Sequence, residues 1–422
     1  MSWTKSVCLM FFFVVISVLM LSAAEAQSQA TFVFDKTIRV PLQEQNVQIH
    51  TFCIDKQGRL LASTGGTQFV YEQDGDSYII KERETPSAIC VFDAEGNHIA
   101  TWKLDVTPEA LAVAPDGTIY AAGLGKILKL SNQGEILKSI ESPHLKEMPP
   151  LPEIPDVVEE TPEMVKEKEE RIAQLNEEML PYRQMLSDSY RELVKAKVAE
   201  DEDAVIGIQT DIESLMIQFK NLLSQLQALQ LDARALAIQM RNAAMQARSV
   251  RSMAVTGTDV FLCCPPPKGY AAVVWRFDHN FENEKLIVQN LSGCCGQMNI
   301  NAVDDKLVIP ENGRKKVHIY DRDGTRLHSW GQDDRGNSGD EGWGSCCNPM
   351  NVTFDAAGNV LTSEASVGAV KRFTQDGTFL EYVAHSKIVP GCKHTPIGLS
   401  LDGNTVYMLD IFQSQVILMK RP

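Results

Sequence analysis

One pattern recurs along the chain: an apolar strand, a turn that contains glycine, a second strand, and two further strands joined by another such turn. The clearest copy is TPEALAVAPDGTIYAAGLGKILKLSNQGEILKSI, at residues 107–140. Glycine after Asp or Asn in these turns fits β-hairpins, because such turns require a positive φ. Repeats of ~40 residues with four strands each are typical of a β-propeller.

The pattern occurs six times. The copies span residues 53–104, 107–140, 253–288, 298–330, 350–383 and 396–420. The last copy has only three strands, and a strand-like segment at residues 31–42 is available as the fourth. Strands from both termini would then close the ring and leave no large free sheet edge. The pattern therefore predicts an all-β six-bladed β-propeller, and the alternative is a two-sheet sandwich.

Three segments resemble the repeats of NHL-type six-bladed propellers: TPEALAVAPDGTIYAA at 107–122, VHIYDRDGTRLHSWG at 317–331 and VKRFTQDGTF at 370–379. The resemblance covers roughly residues 30–140 and 250–422. It implies the fold more strongly than any function, because one fold hosts many activities.

The repeat is interrupted between the second and third copies. Residues 141–162 are proline-rich and acidic, which predicts an extended, stiff linker. Residues 163–248 then carry apolar side chains at alternating three- and four-residue steps, the pattern of a coiled-coil seam. The sequence AEDEDA at 199–204 separates two such runs.

We therefore predict an antiparallel α-helical coiled-coil hairpin at 163–248, ~55–65 Å long at ~1.5 Å per residue. Residues 27–140 would form blades 1 and 2 with the closing strand, and residues 249–422 blades 3 to 6. Two interpretations of the hairpin stay open. It is either a spacer that packs only on itself, or an arm that binds a protein partner or a second copy.

The N-terminus has the form of a secretory signal peptide. Lys5 precedes an apolar run, and Ala24-Glu25-Ala26 is a small-residue cleavage site. We predict that residues 1–26 are removed and that the protein is secreted or resides in the periplasm or cell envelope. An uncleaved membrane anchor is the alternative, although the run is shorter than the ~20 residues that a span requires. No later stretch is long and apolar enough to cross a membrane.

The formal net charge is −15. Nucleic-acid binding requires a basic face for the phosphates, so this charge argues against such a partner. The sequence contains no Gly-rich phosphate loop, no G-x-S-x-G and no H-E-x-x-H. An enzymatic activity is therefore not the favoured hypothesis.

Cysteines cluster before the predicted first strands of blades 4 to 6 and at the end of the predicted second strand of blade 3. The chain has ten, and nine remain once Cys8 is removed with the signal peptide. Seven should lie on one face of the propeller: Cys263, Cys264, Cys294, Cys295, Cys346, Cys347 and Cys392. In an exported protein disulfides are the default interpretation. A metal or iron–sulfur cluster with one cysteine from each of blades 3 to 6 is the second, and a redox-active dithiol is the third. Cys53 and Cys90 are interpreted as small buried hydrophobic residues.

Alignment of the second strands VFLCC, LVIPE, VLTSE and VYMLD places four side chains at matching positions: Cys264, Glu311, Glu364 and Asp410. They could ring the axial mouth. Lactonase-type propellers hold a divalent cation at the axis with Glu, Asn and Asp. That resemblance makes the three carboxylates, with Asn299 and Asn351, candidate ligands. The alternative is that the carboxylates only cap strand ends by accepting bonds from backbone amides.

The leading functional hypothesis is a secreted, non-enzymatic binding propeller with a cysteine-rich axial face and a helical arm for partner binding or self-association. The alternative is a metalloprotein, either a cysteine-ligated electron-transfer protein or a metal-dependent hydrolase of lactonase type. No ligand or cofactor can be named from the residues.

Overall fold

The computed structural model describes residues 30–40, 47–74, 77–146, 148–153, 161–199, 201–230, 233–266, 271–293, 298–333, 342–343, 348–365, 368–386, 388 and 395–422. The chain divides into two compact units. The first comprises Met1–Met148 and Ala247–Pro422, and the second is Pro149–Gln246. The predicted signal peptide at 1–26 lies outside the described residues, so it stays a prediction.

Within the described residues, the first unit contains six four-stranded antiparallel sheets, numbered 1 to 6 in chain order. The strand β1 (Val33–Arg39) comes first and belongs to sheet 6. Sheet 1 consists of β2 (Ile49–Ile54), β3 (Leu60–Asp74), β4 (Ser77–Phe92) and β5 (His98–Lys103). Sheet 2 consists of β6 (Ala110–Val113), β7 (Ile119–Gly123), β8 (Lys126–Leu130) and β9 (Ile136–Glu141). Sheet 3 consists of β10 (Ser252–Val255), β11 (Asp259–Cys264), β12 (Ala272–Asp278) and β13 (Lys285–Leu291).

Sheet 4 consists of β14 (Asn301–Val303), β15 (Lys306–Glu311), β16 (Lys316–Asp321) and β17 (Arg326–Trp330). Two short strands that pair in parallel follow it, β18 (Gln332–Asp333) and β19 (Gly342–Trp343). Sheet 5 consists of β20 (Asn351–Phe354), β21 (Val360–Glu364), β22 (Ala369–Phe373) and β23 (Phe379–His385). Sheet 6 consists of β24 (Ile397–Leu399), β25 (Thr405–Asp410) and β26 (Gln415–Lys420), with β1 as its fourth strand, antiparallel to β26.

Aspartate and glycine build several of the tight turns between strands. In the turn after β2, Asp55 Oδ1 accepts hydrogen bonds from the N–H groups two and four residues later, at 2.9 and 2.8 Å. Asp321 and Asp355 accept the corresponding two hydrogen bonds in the turns that follow them. Gly58, in the first of these turns, has a φ of 74°. A residue with a Cβ would pay about 1–2 kcal/mol for that conformation, which explains why the turns carry glycine.

The hydrophobic core lies between neighbouring sheets. One buried cluster joins each consecutive pair of sheets, and a sixth cluster joins sheet 6 to sheet 1. Leu61 packs with Ile119 between sheets 1 and 2, and Phe52 packs with Tyr407 between sheets 1 and 6. Each fully buried aliphatic side chain contributes about 1.5–3 kcal/mol. The sheets therefore pack in a ring, which is the architecture of a β-propeller and confirms the propeller fold.

The first strands of the sheets line the inside of the ring and have a common direction. A parallel bridge joins Asn299, just before β14, to Asn351 at the start of β20. Within a sheet, the first strand begins beside the end of the second, as in the pairs Ser252 with Cys263 and Asn351 with Ser363. The beginnings of the first strands and the ends of the second strands therefore lie at the same end of the ring.

The first sheet departs from the predicted pattern. A long middle loop was expected within residues 53–104, but β3 and β4 remain paired out to Asp74 and Ser77. A bulge between Thr64 and Gly66 separates this two-stranded extension from the sheet. Gly65, with a φ of 126°, lies at the bulge, where glycine tolerates a backbone that other residues avoid.

The second unit contains the predicted helices. They are α1 (Pro162–Val198), α2 (Glu202–Gln230) and α3 (Ala233–Ala247). Thr161 caps α1 by accepting a hydrogen bond from Met164 N–H, and α1 continues through Pro181. At ~1.5 Å per residue its 37 residues extend over ~55 Å.

The helices α1 and α2 pack antiparallel through the predicted apolar positions. Leu175 and Met179 share a cluster with Leu226, whereas Leu186 and Leu193 share one with Ile212. Later residues of α1 thus meet earlier residues of α2, which defines a helical hairpin. No helix in the described part of the chain combines the length and the apolarity that a membrane span requires.

Candidate functional site

A central cavity of about 230 Å³ is lined by the first strands of all six sheets. Most of the lining residues have apolar side chains, as expected for strands that also pack against their neighbours, but polar atoms provide most of the surface that faces the cavity. Six hydroxyl and amide side chains interrupt this surface: Thr51, Ser252, Asn299, Asn301, Asn351 and Thr353. Sequence reasoning identified Asn299 and Asn351 but missed the other four. Polar residues at alternate positions of apolar strands, as in MNINAV and MNVTF, were the available signal.

No charged side chain belongs to the cavity lining among the described residues. Glu311, Glu364 and Asp410 do not reach it. Divalent cations such as Ca²⁺ bind carboxylate oxygens by preference. The described lining therefore offers amides and hydroxyls but lacks the acidic ligands of a lactonase-type metal site.

A chain of hydrogen bonds connects sheets 4, 5 and 6 beside the cavity. Asn299 Nδ2 donates to Asn351 Oδ1. Asn351 Nδ2 then donates to Thr395 Oγ1 at 3.3 Å. Ser363 Oγ donates to the carbonyl oxygen of Thr395 at 2.7 Å. Asn351 and Thr395 are almost completely buried. Burial and these hydrogen bonds therefore fix the orientation of the Asn351 amide.

Ser252 makes similar hydrogen bonds between sheets 3 and 4. Its Oγ donates to the carbonyl oxygen of Met298 at 2.6 Å and accepts from Ile300 N–H at 3.1 Å. Asn301 continues the series, because its Oδ1 accepts from Phe354 N–H at 3.2 Å. These bonds fix the first strands relative to one another and shape the cavity wall.

The predicted carboxylates occupy matching places, each as the last residue of the second strand of its sheet. Glu311 accepts from Ser292 N–H at 2.7 Å, and its Oε2 lies 2.7 Å from His318 Nε2. Arg314 also bonds it. Burial opposes ionisation of Glu311, but the hydrogen bonds from His318 and Ser292 outweigh it and hold the pKa below its ordinary value.

Glu364 and Asp410 have partners of a similar kind. Glu364 lies 2.7 Å from Nζ of the buried Lys371. That ammonium also donates to the carbonyl oxygen of Gly342 at 3.1 Å. Asp410 accepts from the N–H groups of Phe412 and Gln413, at 3.1 and 3.4 Å. Each carboxylate thus stabilises the strand end or turn next to it.

A further carboxylate was not anticipated. Glu109, just before β6, accepts from Leu124 N–H at 3.1 Å and from Val250 N–H at 2.7 Å. Burial raises the pKa of Glu109, although these two backbone bonds counteract it. The side chain ties sheet 2 to the segment that leads into sheet 3. No sequence motif marks this role.

The structure describes only some of the cysteines in this prediction. Cys294, Cys295, Cys346, Cys347 and Cys392 lie outside the described residues, so their disulfide or metal state stays a prediction. Cys263 and Cys264 are free thiols, both fully buried in β11. Burial raises the pKa of Cys263 to about 11 and that of Cys264 well above its ordinary value.

The remaining two cysteines are also free thiols. Cys90 is buried in the core, as expected. Cys53 is only half-buried and contributes to the cavity lining. The part of the chain that the structure describes contains no group of three or more His, Cys, Asp and Glu side chains placed to share a metal ion.

No family model matches the sequence. No curated protein matches it either. Solved structures do align with the chain. A virginiamycin B lyase from Staphylococcus aureus is 10% identical, with a TM-score of 0.41, over 91% of this chain and 99% of that one. A gluconolactonase from Xanthomonas campestris is 8% identical, with a TM-score of 0.40, over 92% and 98%. The Dos1 propeller is 10% identical, with a TM-score of 0.36, over 88% and 77%. At this level of similarity, the alignments carry no argument about the activity of this chain.

Proposed function

We propose that this protein is a secreted or cell-envelope binding scaffold: a six-bladed, NHL-like propeller that carries a coiled-coil arm. The arm binds another helical surface, in the simplest case a second copy of the chain. Its cysteine-rich face is stabilised by disulfides or by a metal. The observation that carries this proposal is a second apolar stripe on α1, separate from the seam that packs against α2.

The first stripe is accounted for inside the hairpin. Leu175, Met179, Leu186 and Leu193 are buried against α2. These positions recur at three-, four- and seven-residue steps, which is the spacing of a helix–helix seam. They explain why two helices of this length remain associated.

The second stripe has no role inside the hairpin. Leu180, Tyr190, Val194 and Val198 are exposed by 59%, 49%, 61% and 81%. At about 100° per residue they fall within an arc of about 80°, centred roughly 100° from the seam. The stripe extends for ~27 Å along the helix, since 18 residues rise ~1.5 Å each. Grouped apolar side chains of this kind mark interaction surfaces more often than isolated ones do.

Acidic side chains lie on the opposite side of α1. A shallow depression there is lined by Asp188, Glu192 and Asp211, by Ser189 and Ser214, and by the apolar Met185 and Leu215. The side opposite the stripe is therefore acidic, with some apolar surface between its carboxylates. Two such hairpins that pair through their apolar sides would form a four-helix bundle, with the acidic sides facing water. A C2 arrangement places the same stripe on both partners.

The test uses the full mature chain and three variants. Val194→Asp and Val198→Asp place a charge on the stripe, and Lys195→Asp is the control, an exposed neighbour off the stripe. Association is measured by sedimentation velocity over a wide range of protein concentration. We expect the wild type and Lys195→Asp to associate and the two stripe variants to remain monomeric. Equal association in all four proteins would refute the role of the stripe, and a monomeric wild type would refute self-association.

Removal of the second unit provides an independent check. Both ends of the excision are anchored within the first unit, because Ser142 N–H donates to the carbonyl oxygen of Gly125 and Val250 N–H donates to Glu109. A short flexible linker from Met148 to Ala247 should leave the propeller folded. We expect this protein to be monomeric with unchanged β-sheet circular dichroism.

A further inference from the structure

The geometry points to the central cavity as a binding site for a small, uncharged polyhydroxylated molecule, of monosaccharide size or below. This inference is independent of the proposed role of the helical arm. It depends on the volume of the cavity, on the absence of charge in its described lining, and on the hydrogen-bonding groups that the surrounding protein leaves available.

The volume suits a small molecule. About 230 Å³ is close to the lower end, ~300 Å³, of the range typical of small-molecule sites. Because all six first strands line the space, its walls are held by the closed ring of sheets and are preformed for a ligand.

The chemistry of the lining selects an uncharged ligand. Burial of an ion costs several kcal/mol unless an opposite charge or a dense set of hydrogen bonds replaces its water. The described lining provides no such charge. The nearby carboxylates are committed elsewhere, Glu311 to His318 and Ser292 N–H, and Glu364 to Lys371. A carboxylated or phosphorylated ligand therefore finds no counter-ion there.

Two amides at the beginning of sheet 4, Asn299 just before β14 and Asn301 within it, offer complementary groups. Asn299 uses Nδ2 to bond Asn351, so its Oδ1 is an acceptor with no partner among the described residues. Asn301 uses Oδ1 to accept from Phe354 N–H, so its Nδ2 is a donor with no partner among them. Both side chains are half-buried. Residues two apart on a strand face the same side, which places an acceptor and a donor next to each other on the wall.

Hydroxyl groups extend this set from two other sheets. Thr51 of sheet 1 and Thr353 of sheet 5 line the cavity, and no described group bonds their Oγ1 atoms. Each hydroxyl both donates and accepts. The wall thus combines donors and acceptors with apolar surface from residues such as Leu111 and Ile397. A polyol has the matching pattern, because its hydroxyls alternate with C–H groups.

The experiment compares three probes on the full mature protein by isothermal titration and ligand-observed NMR. The probes are D-glucose, erythritol and D-glucuronate, the last being the charged counterpart of the first. We expect at least one neutral probe to bind, and glucuronate to bind weaker than glucose by roughly tenfold or more, since it lacks a counter-ion. No binding of either neutral probe at millimolar concentration, or equal binding of glucuronate, would overturn the inference.

A substitution tests the location. Asn301→Asp retains the oxygen that accepts from Phe354 N–H but replaces the available donor with a carboxylate oxygen. We expect the affinity for the neutral probe to fall by roughly tenfold or more, in a variant that a cooperative urea transition shows to be folded under the conditions of the titration. Asn132→Asp, in an exposed turn, is the matched control and should bind like the wild type. Unchanged binding in Asn301→Asp would place the probe elsewhere and refute this site.

Discussion

The Nε2 atom of His318 lies 2.7 Å from Oε2 of Glu311, and both side chains are buried. The pair joins the end of β15 to β16, the next strand of the same sheet. Glu311 also accepts from Ser292 N–H in the segment that leads into this sheet. The contact therefore has a structural consequence: it stabilises one of the second-strand ends at which the sequence predicts a metal site.

Replacement of Glu311 by Gln should destabilise the protein. The amide is a weaker acceptor than the carboxylate, and only one of its two polar atoms can accept, whereas Ser292 N–H and Arg314 donate to one carboxylate oxygen and His318 contacts the other. We expect the free energy of unfolding to decrease by about 1–3 kcal/mol, as measured by urea denaturation. Glu135→Gln, at an exposed turn residue, should change it by less than about 0.5 kcal/mol. An equal loss in both variants would contradict the role of the contact.

Stability should depend on pH through His144. Burial lowers the pKa of this imidazole to about 4, and its Nδ1 lies 2.5 Å from Ser142 Oγ. An unfolded chain protonates histidine near pH 6.5. Between these values the unfolded state binds a proton that the folded state does not, so stability is complete above about pH 6.5 and decreases as the pH falls towards 4.

This contribution can be isolated by substitution. Between pH 7 and pH 4.5, we expect the free energy of unfolding of His144→Asn to decrease by roughly 2–3 kcal/mol less than that of the wild type. The comparison requires urea denaturation at both pH values. His98→Asn, which replaces an exposed histidine, should retain the wild-type pH dependence. Parallel curves for the wild type and His144→Asn would show that His144 does not titrate in this way.

Cys263 and Cys264 should be unreactive in the folded protein. Both thiols are fully buried, and burial raises both pKa values, so few thiolates are present to react. At pH 8 we expect iodoacetamide to label neither residue until urea unfolds the chain, as followed by peptide mass spectrometry. Labelling in the native protein, or a disulfide on either residue, would disprove the prediction.

The close approach of Trp330 from the neighbouring sheet should make glycine necessary at position 377. Its φ is 96°, and a Cβ there would overlap the ring of Trp330. Gly117 has a similar φ of 89°, with no atom within 4 Å of the Cβ position. We expect Gly117→Ala to cost about 1–2 kcal/mol from backbone strain alone, and Gly377→Ala to cost about 1–3 kcal/mol more. Equal unfolding midpoints for the two variants would refute the steric contribution of Trp330.

Much of the architecture could be predicted from local patterns. The Asp-x-x-Gly turns act within five residues, as Asp55 and Asp355 show, so they are visible in the sequence. The apolar steps of the hairpin are equally local, and Leu175, Leu186 and Leu193 are buried where that spacing places them. The extension of β3 and β4 was missed, because a loop and a two-stranded ribbon can have similar compositions.

The candidate site was less predictable, because its contacts join residues that are distant along the chain. The alignment of second strands placed Glu311, Glu364 and Asp410 at equivalent positions, but it contained no information about the groups that face them. Asn301 was overlooked, since an asparagine in a short strand has no distinctive local signature.

The sequence by itself determined the repeated strands, the turns between them, and the position and pairing of the inserted helices, because these depend on residues a few positions apart. Only the tertiary structure decided which polar groups meet. Glu109 accepts from Val250 N–H across 141 positions, and Asn299 meets Asn351 across 52. Such contacts exist only once the ring of sheets has closed. In the ring, Glu311, Glu364 and Asp410 contact groups near the ends of their own strands, whereas amides and hydroxyls line the central cavity.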